Sequence, residues 1–190
     1  GFADIDRQHR QLIWQINLLA RRLVQGSPED FPEDSFAALV DYAAYHFASE
    51  EALWETWLAG EEEVERHRRG HAAFRERLVN LRMAAERTSA AEATEELLLF
   101  LIRWLAHHIL NEDQRLARIS LAVKAGAQIP AAVRQVDAEL GGAMGVLNNN
   151  LLSLSEALAL RTLALLREQS RRRQVEADLK ASQLQQALRE

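Results

Sequence analysis

Cysteine is absent from all 190 residues, which removes disulfides, thiolate zinc sites and cysteine nucleophiles in one step. Proline occurs only at positions 28, 32 and 130, so long stretches lack the one residue that a helix interior does not tolerate. No apolar run approaches the ~18 residues of a membrane-spanning helix, and the N-terminus has no signal-peptide pattern. Clustered positive charge is missing too. The net charge is −5, and from Ala125 onward eight Lys/Arg stand against seven Asp/Glu, which argues against a nucleic-acid surface and a polybasic membrane patch. A reducing compartment is permitted, and a cytoplasmic location is the expectation. The chain opens at Gly1 without a methionine, which leaves room for upstream segments.

What is present is helix-forming. Ala, Leu, Glu and Arg fill the stretches between breakers, and 48% hydrophobic content is ample for a core. The pattern predicts a first helix from about Asp6 to Val24, closed by GSPEDFPED, and a second from about Asp34 to Leu58, closed by AG. A third runs from about Glu61 to Arg87, and after TSAAEA a fourth runs from about Thr94 into HHILNED. Short connections between amphipathic helices predict an all-α, antiparallel four-helix bundle over residues 1–123.

The remaining residues, 124–190, read as a helical signalling linker joined through AGAQIP. Ala131 to Glu190 contains no histidine and no aromatic residue. Leu151, Leu154, Leu158, Leu165, Val175 and Leu179 share the a and d positions of one heptad frame, but so do Arg161, Glu168, Arg172 and Ser182. Such a mixed seam suits a parallel dimeric coiled coil, hence a homodimer through the C-terminal helices. The plainer alternative is a solvated helix packed back on the bundle. GGAMG at 141–145 is expected to break or hinge this segment.

All six histidines lie in the bundle, at 9, 46, 67, 71, 107 and 108. HFASE places His46 and Glu50 four apart on the stripe where Phe47 and Trp54 should pack, and HRRGH does the same for His67 and His71. On the fourth helix His108 is followed by Glu112 at four residues and Asp113 at five, and the first helix offers His9 near its start. In an antiparallel bundle these clusters meet at one level. Five imidazoles with two or more carboxylates would be costly to bury without a counter-charge, which a metal cation supplies. Imidazole and carboxylate without thiolate suit iron, manganese or zinc, and five histidines exceed one tetrahedral zinc, so two ions are the natural reading. Spacing alone favours Glu112 over Asp113 as the partner of His108. His107 reads as a surface or supporting residue, and Trp14, Phe47, Trp54, Phe74, Leu101 and Trp104 read as core.

Taken in order, GFADIDRQHRQL, HFASEE, HRRGHAAF and WLAHHILNED resemble the bacterial hemerythrin family, whose pattern is Ile-Asp-x-Gln-His, His-x3-Glu, His-x3-His and His-x4-Asp. The resemblance covers about residues 1–120. It implies a non-haem di-iron centre, oxo- or hydroxo-bridged, that binds dioxygen reversibly. It assigns His67, His71 and His108 to one iron, His9 and His46 to the other, and Glu50 and Asp113 to both as bridges, selecting Asp113 over Glu112. Two departures stand out. The aromatic-rich strap that usually precedes the first motif is absent or trimmed, and LAGEEEVER replaces the Tyr-Pro corner between the second and third helices.

With the extra tail, these features predict an oxygen- or redox-sensing fragment and not an enzyme in itself. Its state would pass along the fourth helix into the linker and on to an output domain beyond this chain, a diguanylate cyclase first, a histidine kinase or PAS module second. Autoxidation or nitric oxide would be alternative signals. Competing expectations are a di-iron oxidase or peroxidase, and an oxygen or iron carrier or storage protein without a signalling role.

Overall fold

The computed structural model describes residues 2–25 and 31–187. Residues 26–30, part of the segment expected to close the first helix, lie outside the described residues, as do the last three. Helix α1 spans Ala3–Gln25, α2 Glu33–Leu58, α3 Glu62–Ala84 and α4 Ala90–His107. The fourth helix then continues through a π-helical turn, His108–Asp113, into α5, Gln114–Lys124. A hairpin leads to α6, Ile129–Gly141, and the chain ends in α7, Ala143–Ala187. Among the described residues there is no strand, and no helix is long and apolar enough to cross a membrane.

The first four helices form the antiparallel bundle, α1 against α2 and α4, and α3 against α2 and α4. The predicted boundaries shift at their ends for identifiable reasons. The helix expected at Thr94 begins at Ala90, because Ser89 and Glu92 close a reciprocal cap in which the Ser89 hydroxyl accepts from the Glu92 backbone N–H at 3.2 Å and the Glu92 carboxylate accepts from that of Ser89 at 3.3 Å. The third helix tightens into a 3-10 turn at Ala85–Arg87 before that cap.

Apolar packing divides into two cores. The larger joins Leu12, Leu19, Leu39, Phe47, Leu78 and Leu98. The smaller, at the other end, joins Trp54, Leu58, Val64, Leu116 and Ile119 to Ala132 and Val136 of α6. Helix α6 thus closes the end of the bundle, tied to α5 by Arg115, whose Nε donates to Asp137 at 2.6 Å, and by Arg118 with Glu139 at 3.3 Å.

The fourth helix leads into the C-terminal segment through the expected AGAQIP joint, which is a reversal. It stops at Lys124, Gly126 takes φ +100° in the reversal, and Pro130 stands in the first turn of α6. A second break falls at Gly142, inside the expected GGAMG hinge, where φ −88° and ψ −143° end α6. Helix α7 then lies along α4 and α1. Ala159 and Leu163 are buried there, and Arg103 and Arg167 pair with Glu156 and Glu95 across the contact. The first half of α7 therefore packs back on the bundle. Its heptad residues do not face the bundle: Leu151, Leu154, Leu158, Leu165, Val175 and Leu179 are all exposed.

Candidate metal centre

Between the two cores lies a buried polar layer, and each helix of the bundle supplies part of it. His9 comes from α1, His46 and Glu50 from α2, His67 and His71 from α3, and His108 and Asp113 from the π-turn. All seven are buried, with His46, Glu50 and His71 wholly enclosed. The four-residue spacings on α2 and α3 put each pair on one stripe, as expected of α-helical geometry.

His108 and Asp113 need different geometry. Residues five apart diverge on an α-helix, but the wider π-turn brings them onto one face. Both therefore point inward, and Glu112 is displaced to the flank. There its carboxylate accepts from His108 Nδ1 at 2.8 Å. Spacing and resemblance each identified a partner of His108: Glu112 holds the far side of the ring, and Asp113 meets its near side.

The remaining far-side nitrogens follow the same rule. His46 Nδ1 donates to Gln8 Oε1 at 3.0 Å, and His71 Nδ1 donates to Glu51 Oε1 at 2.8 Å. Such bonds fix the tautomer and aim the opposite nitrogen at the centre. His67 Nδ1 is the exception, buried without a partner. Gln8 and Glu51 were not singled out in the sequence, although the signal was there: each is adjacent to a candidate residue and so faces a neighbouring ring.

Toward the middle, all five Nε2 atoms converge on the two carboxylates. His67 Nε2 lies 2.8 Å and His108 Nε2 3.1 Å from Asp113 Oδ1, while His9 Nε2 lies 3.1 Å from Asp113 Oδ2. Glu50 divides less cleanly, with Oε2 at 3.4 Å from both His71 and His108 and at 3.6 Å from His46, and Oε1 at 3.5 Å from His9. Two groups able to hold a cation result, Glu50 with His67, His71 and His108, and Glu50 with His9 and His46. Asp113 stands in neither group, but its two oxygens reach both, so we count it with them.

The two halves differ in satisfaction. In the three-histidine half every Nε2 finds a partner, His71 Nε2 and His108 Nε2 at 3.1 Å included, and only the outward His67 Nδ1 lacks one. In the other half His9 Nε2, His46 Nε2, Glu50 Oε1 and Asp113 Oδ2 are buried with no hydrogen-bond partner. Orphaned buried polar atoms of this kind are costly, and a cation with lone pairs aimed at it from every side removes the cost. The donor set fits a hard-to-borderline metal of the iron, manganese or zinc type.

Charge follows from the same contacts. Burial opposes protonation of His9 and His108, yet Asp113 and Glu50, with Glu112 for His108, outweigh it and raise these rings to about 9 and about 10. Burial lowers His46 to about 4, only partly offset by Glu50, and lowers His71 as well. Glu50 and Asp113 resist burial because the surrounding imidazoles hold both below the usual carboxylate range.

Aromatic rings wall the layer. Phe47 stacks on His71 at 3.9 Å and Trp104 on His108 at 4.2 Å, while Trp54 meets His67 edge-on at 6.5 Å. Trp14 is half exposed on α1 and His107 is on the surface, its nearest acid Glu112 at 3.8 Å.

The matching of this layer with known proteins covers the same part of the chain. The family model described as the hemerythrin HHE cation binding domain matches residues 1–119. The chain belongs to the hemerythrin family. The hemerythrin domain is 34% identical over 113 residues to a bacteriohemerythrin of Pseudomonas paraeruginosa, covering 60% of this chain and 71% of that protein. It is 34% identical over 119 residues to one of Stenotrophomonas maltophilia, covering 62% and 73%. A bacteriohemerythrin of Pseudomonas aeruginosa matches at 34% over 113 residues, covering 60% and 71%. No solved structure matches. Family membership implies non-haem iron for the hemerythrin domain, and the His and carboxylate layer is where its ligands converge.

Proposed function

We propose that the hemerythrin domain holds two non-haem irons, binds dioxygen reversibly, and passes ligand or redox state through α7 to an output module, a diguanylate cyclase in the first instance. The observation that carries the paired site is the division of Asp113, which turns Oδ1 to His67 and His108 of the three-histidine half and Oδ2 to His9 of the other, with Glu50 reaching histidines of both halves. His67, His71 and His108 would hold one ion and His9 with His46 the other, with Glu50 and Asp113 between them. Bound iron supplies the electrons and open coordination that a diatomic ligand requires.

The chain's own groups do the rest. Gln8, Glu51 and Glu112 hold three rings by their far nitrogens, and Phe47 and Trp104 keep water from the stacked imidazoles. A cleft of 340 Å³ leads to His9 and Asp113, lined by Phe2, Ile5, Trp54, Ile109, Ala117 and Leu121 with a few polar neighbours. A small uncharged ligand such as dioxygen or nitric oxide partitions readily into such a lining. The cleft reaches the two-histidine half, where fewer protein donors fill the coordination sphere. We read the domain as binding its ligand without turning it over.

Support for a route to α7 comes from one side chain. Asn148 is buried, and its Nδ2 donates to the Leu110 carbonyl at 2.7 Å and to Gln114 Oε1 at 2.9 Å. Leu110 lies in the π-turn between His108 and Asp113, so a change in how those two are held moves a carbonyl that α7 grips directly. The deciding experiment is metal analysis with absorption spectra before reduction, after reduction and after re-exposure to air. About two irons per chain and charge-transfer bands that vanish on reduction and return with oxygen are expected. One zinc per chain, or iron with an oxygen-indifferent spectrum, overturns the reading. Steady consumption of a reductant with oxygen would make it an oxidase.

A further inference from the structure

We propose that the outward flank of α7 is a self-association surface that takes a second copy of this chain, parallel and in register, while both bundles stay docked on their own helices. The inference deepens the signalling reading above and rests on it for purpose, but the surface itself is argued independently of iron.

Isolated exposed leucines are ordinary on protein surfaces, whereas a continuous stripe is not. Leu151, Leu154, Leu158, Leu165, Val175 and Leu179 all stand more than two-fifths exposed, from 42% for Leu151 to 64% for Leu165. They occupy a and d positions of one heptad frame, interrupted at d by Arg161 and Glu168 and at a by Arg172, and so form a mixed seam along one side of the helix. The buried positions Asn148, Ala159 and Leu163 form a different stripe, well round the helix from the seam. Docking on the bundle therefore leaves the seam uncovered, and the seam continues past the docked part into residues 171–186, which are exposed throughout. One face holds the bundle and the other is left for a partner of the same length and pattern.

Charge selects that partner and its direction. In the frame that puts Leu151 at a, Arg171 falls at g and Glu176 at the following e, both exposed. Parallel in-register pairing sets g of one chain beside the next e of its partner, so Arg171 meets Glu176 of the second copy twice, once on each side. Arg172 at a would face its own copy unfavourably if it were bare. It is not bare, because its Nε donates to Glu168 Oε1 at 2.7 Å on the same helix, and Glu168 is the adjoining d residue. The Glu168–Arg172 layer is thus neutral within each chain, and Arg161 at d is the one further charge of the seam, also exposed. Sliding one helix by a heptad would set Arg172 against Leu165 or Leu179, a buried charge against a leucine, which counts against that slip.

The cysteine-free chain makes the test direct. Single variants Leu154→Cys and Val175→Cys place one thiol at d positions near each end of the seam, and Leu160→Cys places one at an exposed position on another flank. A disulfide needs Cα atoms within about 7 Å, and a slip of one heptad moves facing residues about 10 Å apart. Under mild oxidation the full-length Leu154→Cys and Val175→Cys proteins are expected to cross-link to a dimer within minutes, at least tenfold faster than Leu160→Cys. Sedimentation of the unmodified protein should give twice the chain mass, reverting to one chain mass in Leu151→Arg/Leu158→Arg, whose changes touch only exposed residues. A monomer at about 100 µM overturns the proposal, as does cross-linking that is equal at all three sites or absent at both seam sites despite a dimeric mass. Iron content measured on the same preparations separates the two ideas. A monomer with two irons removes only the surface, and a cross-linked dimer without iron removes only the centre.

Discussion

Gln8, Glu51 and Glu112 touch no position that a metal would occupy, yet each decides where an imidazole points. Removing the acceptor from His108 in Glu112→Ala frees the ring to rotate and should weaken iron retention 10- to 100-fold, roughly the usual cost of losing a ligand's support. Gln8→Leu should do the same through His46, with the helical content unchanged. Competition against a chelator measures the effect, and iron retention equal to that of the parent would show that packing alone orients the rings. The metal-free protein carries a second residue-scale signature. His9 and His108 have folded values of about 9 and about 10, above the ~6.5 of an unfolded histidine. Their contribution is full below ~6.5 and is lost as pH rises through about 9 and 10. His46, lowered to about 4, works the other way, contributing above ~6.5 and losing that contribution as pH falls through about 4. The thermal midpoint of the metal-free protein should therefore peak near pH 6.5 and fall on both sides, and a flat profile from 6.5 to 10 would contradict this charge assignment. Five of the seven residues of the polar layer were legible from four-residue spacing, since i and i+4 share a stripe on any α-helix, and His9 was legible from its depth near the start of the first helix. Asp113 was not, because spacing rules assume an α-helix and HILNED is wound more loosely. Resemblance to the family supplied the residue, and the π-turn supplies the reason.

Elements explain why the C-terminal third read only in part. The heptad frame marks one flank of α7, but the helix is apolar on two flanks, and a search for one stripe does not see Ala159 and Leu163 on the other. The GGAMG break was legible from glycine content, although the tight approach behind it was not. A Cβ on Gly145 would stand 1.9 Å from the Leu140 carbonyl oxygen, far inside contact distance. Gly145→Ala must therefore open the α6–α7 corner and lift the start of α7, which limited proteolysis would report as faster cleavage within 143–167. Unchanged cleavage would mean that the corner yields without consequence. Asn148→Leu addresses the same helix more gently. It keeps the volume and removes the grip on Leu110, so iron content should stay at the parent level while hydrogen exchange of the docked part of α7 ceases to respond to iron loading. A response of the parent's size in the variant would place the coupling elsewhere.

For the whole molecule, the end of the bundle is not where composition suggested. The predicted boundary at residue 123 matches the end of α5, but Ala132 and Val136 lie beyond it and are fully part of the smaller core. Val136→Ala should cost about 1–2 kcal/mol, and a chain cut after Lys124, which bares Trp54, Leu58, Leu116 and Ile119 together, should lose more than about 5 °C of thermal midpoint. A chain cut after Ser170 should stay within about 2 °C of the parent, because residues 171–186 are exposed throughout. Calorimetry of the two truncations distinguishes a bundle that is complete without α6 from one that is not.

The single reversal at Gly126, followed by the break at Gly142, has a mechanical consequence. It sends α7 back along the bundle, antiparallel to α4, so the iron-binding layer lies beside the early part of that helix. The bundle acts as a splint on α7 as far as the neighbourhood of Gln169 and Arg173, where Trp14 and Arg21 of α1 are the last neighbours. Past that point every described residue of the helix is exposed as far as Gln186. Stiffness therefore drops at one place, and any twist applied to the splinted part is delivered there, about 30 Å of helix away from Asn148.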